Sequence, residues 1–301
     1  MRRLTLSILL VFIWTLSFSQ VHEISLITKR KSEIKSSPKN SKSFSLSFSN
    51  DKIYGKKTLA KDGKNYTEIW CKGTYPNGII GEPNLPTYKK LIRIPKGSKP
   101  TIKVVSYTEQ IFNLNDNGLY ASIYPNQPSL RKDQDSLSIK FYKKEKSYTF
   151  KNLGNSPEAK IEVLGNLRSA TIARVVVSPV DYNPGDGLIK VYNDIDVDVS
   201  FDKSETLDTK TYSQYFESVY NTLENPLKNS YTDHPDLTKY PVKMLIISNR
   251  IFEQTLQPYI AWKKLKGFNV ITAYTDVIGT TSSSIKTYIQ NLYSSATESD
   301  P

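Results

Sequence analysis

The chain has 301 residues, of which 38% are hydrophobic and 11% are aromatic. That length and composition allow roughly two domains with a sizeable core and argue against a disordered protein. The formal net charge is +12, but the densest basic run lies in a Ser/Lys-rich stretch, residues 29–42, without a nucleic-acid-binding motif. We therefore expect no nucleic-acid partner.

Residues 1–19 have the pattern of a secretory signal peptide. Two arginines precede an uncharged apolar run over residues 4–18, and small residues lead to a cleavage point between Ser19 and Gln20. The alternative is a membrane anchor, but the run is shorter than the roughly 20 residues of a spanning helix, and no later segment is apolar enough to span a bilayer. We predict cleavage at Ser19–Gln20, no membrane span, and export to the periplasm, the cell surface or the extracellular space.

The next part of the chain divides into a leader and a β-rich region. Residues 20–43 are basic and rich in serine, which predicts a flexible, solvated leader. Residues 44–201 contain short alternating or β-branched runs between Gly/Pro turns, a pattern that predicts a mainly β domain, either a β-sandwich or barrel-like. A turn cluster at residues 183–187 predicts a hairpin between a strand over residues 172–180 and the last strand. The predicted strands are residues 44–48, 101–105, 136–142, 161–164, 171–177 and 189–201.

The strand at residues 189–201 has the clearest period of two, with apolar residues at odd positions. Asp194, Asp196 and Asp198 occupy even positions in it. We interpret them as a solvated face. Weak cation binding is the alternative, although the glycine and the distal glutamate of a calcium loop are absent.

Residues 202–240 form the predicted domain boundary. Four apolar residues at helical spacing predict one short amphipathic helix, and a polar stretch with few residues to bury follows it. These four residues are Tyr212, Phe216, Val219 and Leu223. We interpret the whole segment as a helix and a linker between two domains.

Residues 241–301 open an α/β domain. Residues 242–247 and 268–272 are apolar runs typical of buried parallel strands. A helix is predicted between them, with Gly267 at its carboxyl end, and a second helix follows a cap at residues 282–284. Because the sequence ends before a third strand can form, we expect a truncated βαβα unit.

The candidate catalytic residues are few. Cys71 is the only cysteine, so no internal disulfide can form. Cys–His catalysis needs a nearby histidine, but His22 and His234 lie in the leader and the linker. We interpret Cys71 as a buried structural residue. No phosphate-binding loop, zinc-ligand spacing or Ser-centred elbow is present, so the residues predict no catalytic, metal or cofactor site in this sequence.

Two consecutive motifs in the β-rich region are more specific. Residues 81–86 are Gly-Glu-Pro-Asn-Leu-Pro, and they lead into residues 91–97, which end in Ile-Pro-Lys-Gly. This pair resembles the propeptide signature of gingipain-type cysteine peptidases. The other segments that agree with that family, in the same order, are residues 191–197, residues 215–220 and a domain start at Tyr240 that includes residues 244–247 and 262–268. The composition also resembles that of exported Bacteroidetes proteins.

The resemblance implies a zymogen with a signal peptide, a β-rich prodomain that inhibits or chaperones, and a caspase-like cysteine endopeptidase domain. Members of the family cleave proteins and peptides after basic residues, or act as the sortase-like peptidase of type IX secretion. The family's catalytic His and Cys lie later in the peptidase domain, and no Cys or His follows His234 here. No catalytic residue is therefore assigned, and this chain alone is expected to be inactive. No cofactor is expected in this chain, and calcium is expected, if at all, in the full-length peptidase.

The resemblance also implies that the prodomain's partner is its own peptidase domain. A Lys or Arg in the specificity pocket would block a peptidase that selects basic residues, since one buried charge pair can dominate binding. The candidates are Lys72, Lys96 and Arg131, and the sequence does not choose among them. Lys228 and Lys239 are the predicted activation sites. The alternative hypothesis is a secreted β-sandwich binding or adhesion module without peptidase activity, whose α/β tail is incidental.

Overall fold

The computed structural model describes residues 21–40, 42–135, 138–149, 152–167, 170–203, 217–220, 222–224 and 242–297. The chain divides into two compact units, Met1–Lys228 and Asn229–Pro301. The strands described in the first unit are β1 (Val21–Ser25), β2 (Ile34–Asn40), β3 (Ser43–Phe48), β4 (Lys52–Leu59), β5 (Asn65–Cys71), β6 (Tyr75–Pro76), β7 (Pro86–Ile94), β8 (Pro100–Asn113), β9 (Glu158–Leu167), β10 (Ala170–Ser178), β11 (Val180–Asn183) and β12 (Leu188–Phe201). The mainly β prediction is thus confirmed.

The first hydrophobic core, core 1, lies between two antiparallel sheets. One sheet has the order β6-β7-β10-β9. In the other, β8 pairs along the length of β12, while β11 and β3 pair with the first and second parts of β12, and β2 follows β3. The buried side chains of core 1 are Phe44, Leu46, Phe48, Tyr88, Ile92, Ile94, Ala173, Val175, Val177, Tyr192, Ile195, Val197, Val199 and Phe201.

The second hydrophobic core, core 2, is covered by the three-stranded sheet β1-β4-β5. It also takes side chains from β11, from the first part of β12 and from the segment that follows β8. Its buried members are Ile24, Leu26, Ile53, Ile69, Cys71, Leu114, Leu119, Ile123, Val180, Tyr182, Ile189 and Val191. The architecture is therefore a double β-sandwich in which β12 belongs to both cores.

β12 passes from one core to the other at an irregularity. The backbone of Asp194 has φ of 48°, and the pairing register of β12 with β8 shifts between Asn193 and Asp196. The side-chain amide of Asn193 donates to Asn50 O at 2.7 Å and accepts from Asn50 N at 2.9 Å. An extra residue in a strand bends it and re-aims its side chains, which is how one strand serves two cores.

The predicted flexible leader is wrong, because residues 21–40 contribute two strands to the sandwich. β1 pairs with β4 over five residues, and β2 pairs with β3 at the edge of its sheet. Ile24 and Leu26 are buried in core 2. The serine- and lysine-rich composition concealed these strands, since most of their side chains face solvent.

The aspartates of β12 hold this leader in place. Arg30 donates to both carboxylate oxygens of Asp196 at 2.6 and 2.7 Å, and Lys39 forms an ion pair with Asp198. Asp194 is only 6% exposed. The predicted solvated face is therefore wrong for Asp194, which accepts from the Thr28 hydroxyl and from Lys29 N. Asp196 and Asp198 pair with the chain's own basic side chains.

Two other strand predictions need correction. Residues 138–142, the described part of the predicted 136–142 strand, contain no strand and belong to the long connection between β8 and β9. The predicted 172–180 strand is interrupted at Pro179, so β10 lies in one sheet and β11 in the other. Proline has no N–H to donate to a ladder and allows the chain to change sheets there. The turn at residues 183–187 consequently joins β11 to β12.

The second unit has the predicted βαβα order. β13 (Lys243–Ser248) and β14 (Asn269–Tyr274) pair in parallel, and α2 (Glu253–Leu265) connects them. Gly267, with φ of 87°, follows α2 as predicted and donates its N–H to Lys264 O. The last described helix, Ser282–Ser294, is capped by Thr281 rather than by residues 282–284. The helices described in the chain are α1 (Glu217–Tyr220), α2, α3 (Thr275–Ile278) and α4 (Ser282–Ser294); none in the described residues is long and apolar enough to cross a membrane.

The ion pair between Arg30 and Asp196 predicts an acid-sensitive attachment of the leader. The guanidinium of Arg30 holds the pKa of Asp196 well below its usual range. A carboxylate whose pKa is lower in the folded state stabilises that state above its unfolded pKa, about 3.9, and the stabilisation is lost as the pH falls below that value. We expect Arg30→Ala to lower the free energy of unfolding by ~1 kcal/mol at pH 7, because both groups are partly exposed.

The control is Lys31→Ala, which removes a neighbouring exposed lysine and should change the free energy of unfolding by less than ~0.5 kcal/mol. Urea unfolding of the two variants at a series of pH values measures the difference. The deficit of Arg30→Ala should shrink as the pH falls below about 4. Equal losses in both variants, or a deficit that does not depend on pH, would contradict this role of Asp196.

Candidate functional site

Cys71 is not placed for catalysis. It lies at the end of β5, is 4% exposed, and belongs to core 2. Burial raises the pKa of its thiol to about 12, so the reactive thiolate is almost absent at neutral pH. The prediction of a buried structural cysteine is confirmed. His234 lies outside the described residues.

The described residues contain no cluster of three or more His, Cys, Asp or Glu side chains that would hold a metal ion. The functional interest of the first unit lies instead in the long connection between β8 and β9. We call its central part, residues 127–142, the basic loop.

Gly81 joins the two ends of the basic loop. Its N–H donates to Asn126 O at 2.8 Å, and its C=O accepts from Lys144 N at 2.8 Å. Its φ is 80°, and a Cβ at this position would lie 3.2 Å from Lys144 N. Only glycine tolerates both the left-handed backbone and this close approach.

The rest of residues 81–86 extends this support. Asn126 N donates to Glu82 O at 2.8 Å, and Asn84 N donates to Tyr124 O at 2.9 Å. The carboxylate of Glu82 also forms an ion pair with Lys144 at 3.1 Å. The turn that precedes β7 thus binds both legs of the basic loop and fixes the distance between them.

A second clasp closes the neck of the loop. The side chain of Gln127 accepts a hydrogen bond from Tyr142 N at 3.0 Å and donates to Tyr142 O at 2.8 Å. Its amide nitrogen also donates to Pro125 O at 3.1 Å. One side chain therefore pairs with the opposite leg in the way that a neighbouring strand would.

Aromatic side chains support the loop from below. Phe141 packs against Tyr66 of β5 and against Tyr124, with ring centroids 6.1 and 5.8 Å apart. Lys61 donates to Ile139 O at 3.3 Å. Under the loop is a cavity of about 150 Å³, lined mainly by Tyr124, Pro128, Leu130, Ile139 and Phe141.

The tip of the loop is a four-residue turn. Gln134 N donates to Arg131 O at 3.1 Å, and Arg131 N donates to the side chain of Gln134 at 3.0 Å. The guanidinium of Arg131 forms an ion pair with Asp133 at 3.2 Å. Lys132 lies at the second position of the turn and is exposed. It makes no hydrogen bond or ion pair within the described part of the chain.

The comparisons with known proteins identify the family. The Propeptide_C25 family model matches residues 45–225, and the model of peptidase family C25 matches residues 237–301. The chain belongs to the gingipain-type C25 family. It contains the propeptide of a C25 precursor and the start of its peptidase domain, as the motifs at residues 81–97 predicted. The match at residues 237–301 argues against the alternative of a binding module with an incidental α/β tail.

Its curated relatives include the Lys-gingipains of Porphyromonas gingivalis. The Lys-gingipain of strain ATCC 33277 and Lys-gingipain W83 are each 35% identical to this chain over 259 residues, which are 84% of the chain. The chain spans 15% of the length of these relatives.

Two solved structures share the fold. A structure on the zymogenic latency of gingipain K from Porphyromonas gingivalis is 30% identical, with a TM-score of 0.56, and the match covers 62% of this chain and all of that chain. The complex of Porphyromonas gingivalis RgpB pro- and mature domains is 17% identical, with a TM-score of 0.52 over 64% of this chain and 97% of that chain. The second likeness supports the fold alone.

The predicted inhibitory residues of this C25 propeptide lie on separate connections. Lys72 is exposed in the turn after β5, and Lys96 is exposed in the tight turn after β7, where Ser98 N donates to Pro95 O. Arg131 is on the basic loop but is engaged by Asp133. Sequence reasoning missed Lys132, because the pairing of Arg131 and the turn that presents Lys132 depend on the folded geometry.

The predicted processing residues Ser19, Gln20, Lys228 and Lys239 lie outside the described residues, as do Tyr212 and Phe216 of the predicted linker helix. The described end of the first unit is anchored to the sandwich. Leu223 is 4% exposed, and Glu224 N donates to Leu91 O at 2.9 Å. The Glu224 carboxylate accepts from Ser36 at 3.0 Å and pairs with Lys90. The candidate site at Lys228 therefore follows shortly after a fixed point.

The raised pKa of Cys71 predicts that the folded chain resists thiol modification. A disulfide-based thiol reagent at pH 8 should label the folded protein at least ~100-fold more slowly than the protein denatured in guanidinium, since labelling requires opening of core 2. Absorbance of the released thiolate measures both rates. Rapid, stoichiometric labelling of the folded chain would show that Cys71 is accessible and would reopen a reactive role.

Proposed function

We propose that the first unit is the inhibitory prodomain of an exported cysteine endopeptidase, and that residues 237–301 begin the peptidase domain it inhibits. Three observations support this proposal. The propeptide and peptidase family matches follow each other along the chain. The 30% identical structure concerns the zymogenic latency of gingipain K. The family motif at residues 81–86 supports a loop with an exposed cation at its tip.

The basic loop supplies the mechanism. Lys132 occupies an exposed turn, makes no ion pair with the described residues, and follows Arg131, whose guanidinium forms an exposed ion pair with Asp133. A carboxylate at the bottom of a peptidase specificity pocket would pair with the Lys132 ammonium, and the desolvated pair would dominate the binding energy. The exposed Lys132 on a doubly clasped loop is the observation that carries this assignment. Lys132 is thus our candidate in place of Lys72, Lys96 and Arg131, among which the sequence did not choose.

The charge of the inhibitory side chain suggests the substrate class. A pocket that accepts Lys132 would accept proteins and peptides with lysine before the scissile bond, and the curated relatives are named Lys-gingipains. Lysine presents a compact ammonium, whereas arginine presents a wide planar fork, so a pocket shaped for one binds the other less well.

The remaining parts of the proposal concern export and activation. Removal of residues 1–19 leaves a mature start directly before β1, and the prodomain partner is its own peptidase domain. Cleavage at Lys228 or Lys239 separates the two units. The 301-residue chain itself does not hydrolyse peptides, because its single cysteine is buried in core 2. Calcium in the full-length peptidase remains a prediction of the family resemblance.

The inhibitory role of Lys132 predicts a selective loss of inhibition. In an assay of mature Lys-gingipain on a lysyl peptide substrate, Lys132→Ala should raise the inhibition constant of the 301-residue chain about 100-fold, as expected for a central binding residue. Lys72→Ala and Lys96→Ala are matched controls and should change it by less than about threefold, since they lie on other turns.

The outcomes separate the parts of the proposal. No inhibition by the unmodified chain at micromolar concentration would reject the inhibitory prodomain. Full inhibition by Lys132→Ala together with a loss in Lys96→Ala or Lys72→Ala would move the inhibitory residue to another turn. If Lys132→Arg raises the inhibition constant and leaves the melting temperature unchanged, the result would support a pocket shaped for lysine.

A further inference from the structure

We propose that Gln127 is the positioning residue of the basic loop, and that its side-chain amide keeps the loop an inhibitor rather than a substrate. The inference rests on the proposed inhibitory function of Lys132. It assigns the regulation of that contact to a residue whose side-chain hydrogen bonds go to Tyr142 within the loop and to Pro125 two residues before it, and which acts through the loop.

The geometry isolates Gln127 as the closing element. Its Oε1 accepts from Tyr142 N and its Nε2 donates to both Tyr142 O and Pro125 O. Gln127 thus offers Tyr142 one donor and one acceptor, as a backbone amide would. Only a primary amide side chain of this length can do so. Gly81 joins the chain on both sides of the loop one residue nearer the scaffold, at Asn126. Gln127 is the first residue of the loop whose side chain links its two ends. Within the loop, Lys61 contacts Ile139 O, and Phe141 packs on Tyr66 and Tyr124.

The length of the loop makes this tie important. Residues 128–141 span the interval between the two clasped positions, and without the tie at Gln127 a segment of that length would sample more conformations despite the contacts of Ile139 and Phe141. A loop that must be ordered on binding loses affinity, and pre-organisation removes that cost. The hydrogen bonds between Arg131 and Gln134 order the tip, while Gln127 orders its attachment.

The clasp also affects the fate of the bound loop. In a cysteine peptidase, attack of the thiolate on the Lys132 carbonyl carbon forms a thioester and breaks the Lys132–Asp133 bond, and the Asp133 nitrogen takes up a proton. Water then hydrolyses the thioester if the new amine moves away. With residues 127 and 142 tied together, the Asp133 amine stays next to the thioester and returns to it, which restores the peptide bond. An untied loop would be cleaved.

Two substitutions remove different parts of the tie. Gln127→Met keeps the length of the side chain and removes all three hydrogen bonds. Gln127→Glu retains an acceptor for Tyr142 N but places a second carboxylate oxygen against Tyr142 O and Pro125 O. Gln290→Met is the matched control, because Gln290 is an exposed glutamine of α4 in the other unit.

The test measures inhibition of mature Lys-gingipain by the 301-residue chain, cleavage at Lys132 by mass spectrometry, and the melting temperature of the chain. Gln127→Met and Gln127→Glu should each raise the inhibition constant about tenfold, through faster dissociation, and should increase cleavage at Lys132 by a similar factor. The melting temperature should stay within a few degrees of the unmodified chain, and Gln290→Met should change none of the three quantities.

A double-mutant comparison distinguishes positioning from general support. Because Gln127 acts through Lys132, Gln127→Met should cause little further loss of inhibition when Lys132 is already alanine. Equal losses in both backgrounds, unchanged inhibition and cleavage, or a large fall in melting temperature in both Gln127 variants would overturn the inference. If Lys132→Ala leaves inhibition intact, the proposed inhibitory residue is wrong, and the inference about Gln127 falls with it. If Lys132→Ala abolishes inhibition while the Gln127 variants inhibit normally and are not cleaved at Lys132, only the inference about Gln127 is wrong.

Discussion

β12 supplies buried side chains to both hydrophobic cores, so neither core can form without it. Its first part covers core 2 together with β11, and its second part covers core 1 together with β3. The bulge at Asn193 and Asp194 is the feature that allows one strand to do both. The same strand carries the aspartates that bind the leader, including a contact between Arg30 and Asp196 that are 166 residues apart. Because its partners come from both ends of the unit, the sandwich can close only when nearly all of it is present.

The candidate site depends on this scaffold through a short chain of contacts. Core 2 fixes β5, and Thr67 of β5 pairs with Ile123, four residues before the basic loop. The turn at residues 81–86 leads into β7 and ties the two legs through Gly81. The family motif therefore has a physical reason: its glycine permits a close backbone approach, and its backbone groups hold the loop that presents Lys132. Binding residues are often on loops that a rigid scaffold holds in a defined position.

Much of the fold followed from local patterns, and the failures have specific causes. The period of two located β12 and the apolar runs located β13 and β14, because burial on one or both faces of a sheet leaves a clear pattern. β1 and β2 were missed because most of their side chains face solvent, and because the aspartates that bind the leader lie far away in sequence. Residues 138–142 alternate like a strand, but Phe141 is instead an anchor beneath a loop.

The motif at residues 81–86 was visible, yet its role depends on contacts with Asn126 and Lys144. Lys132 could not be separated from Arg131 without the ion pair to Asp133.

Hydrogen–deuterium exchange of the prodomain in the presence of mature Lys-gingipain tests the central claim most directly, since it maps the contact without any substitution. The account predicts that protection on binding is concentrated at residues 128–142, and that it disappears when the active site of the peptidase is first blocked by a covalent lysyl inhibitor. Protection at other connections, such as those containing Lys72 or Lys96, with no change in residues 128–142, would contradict it.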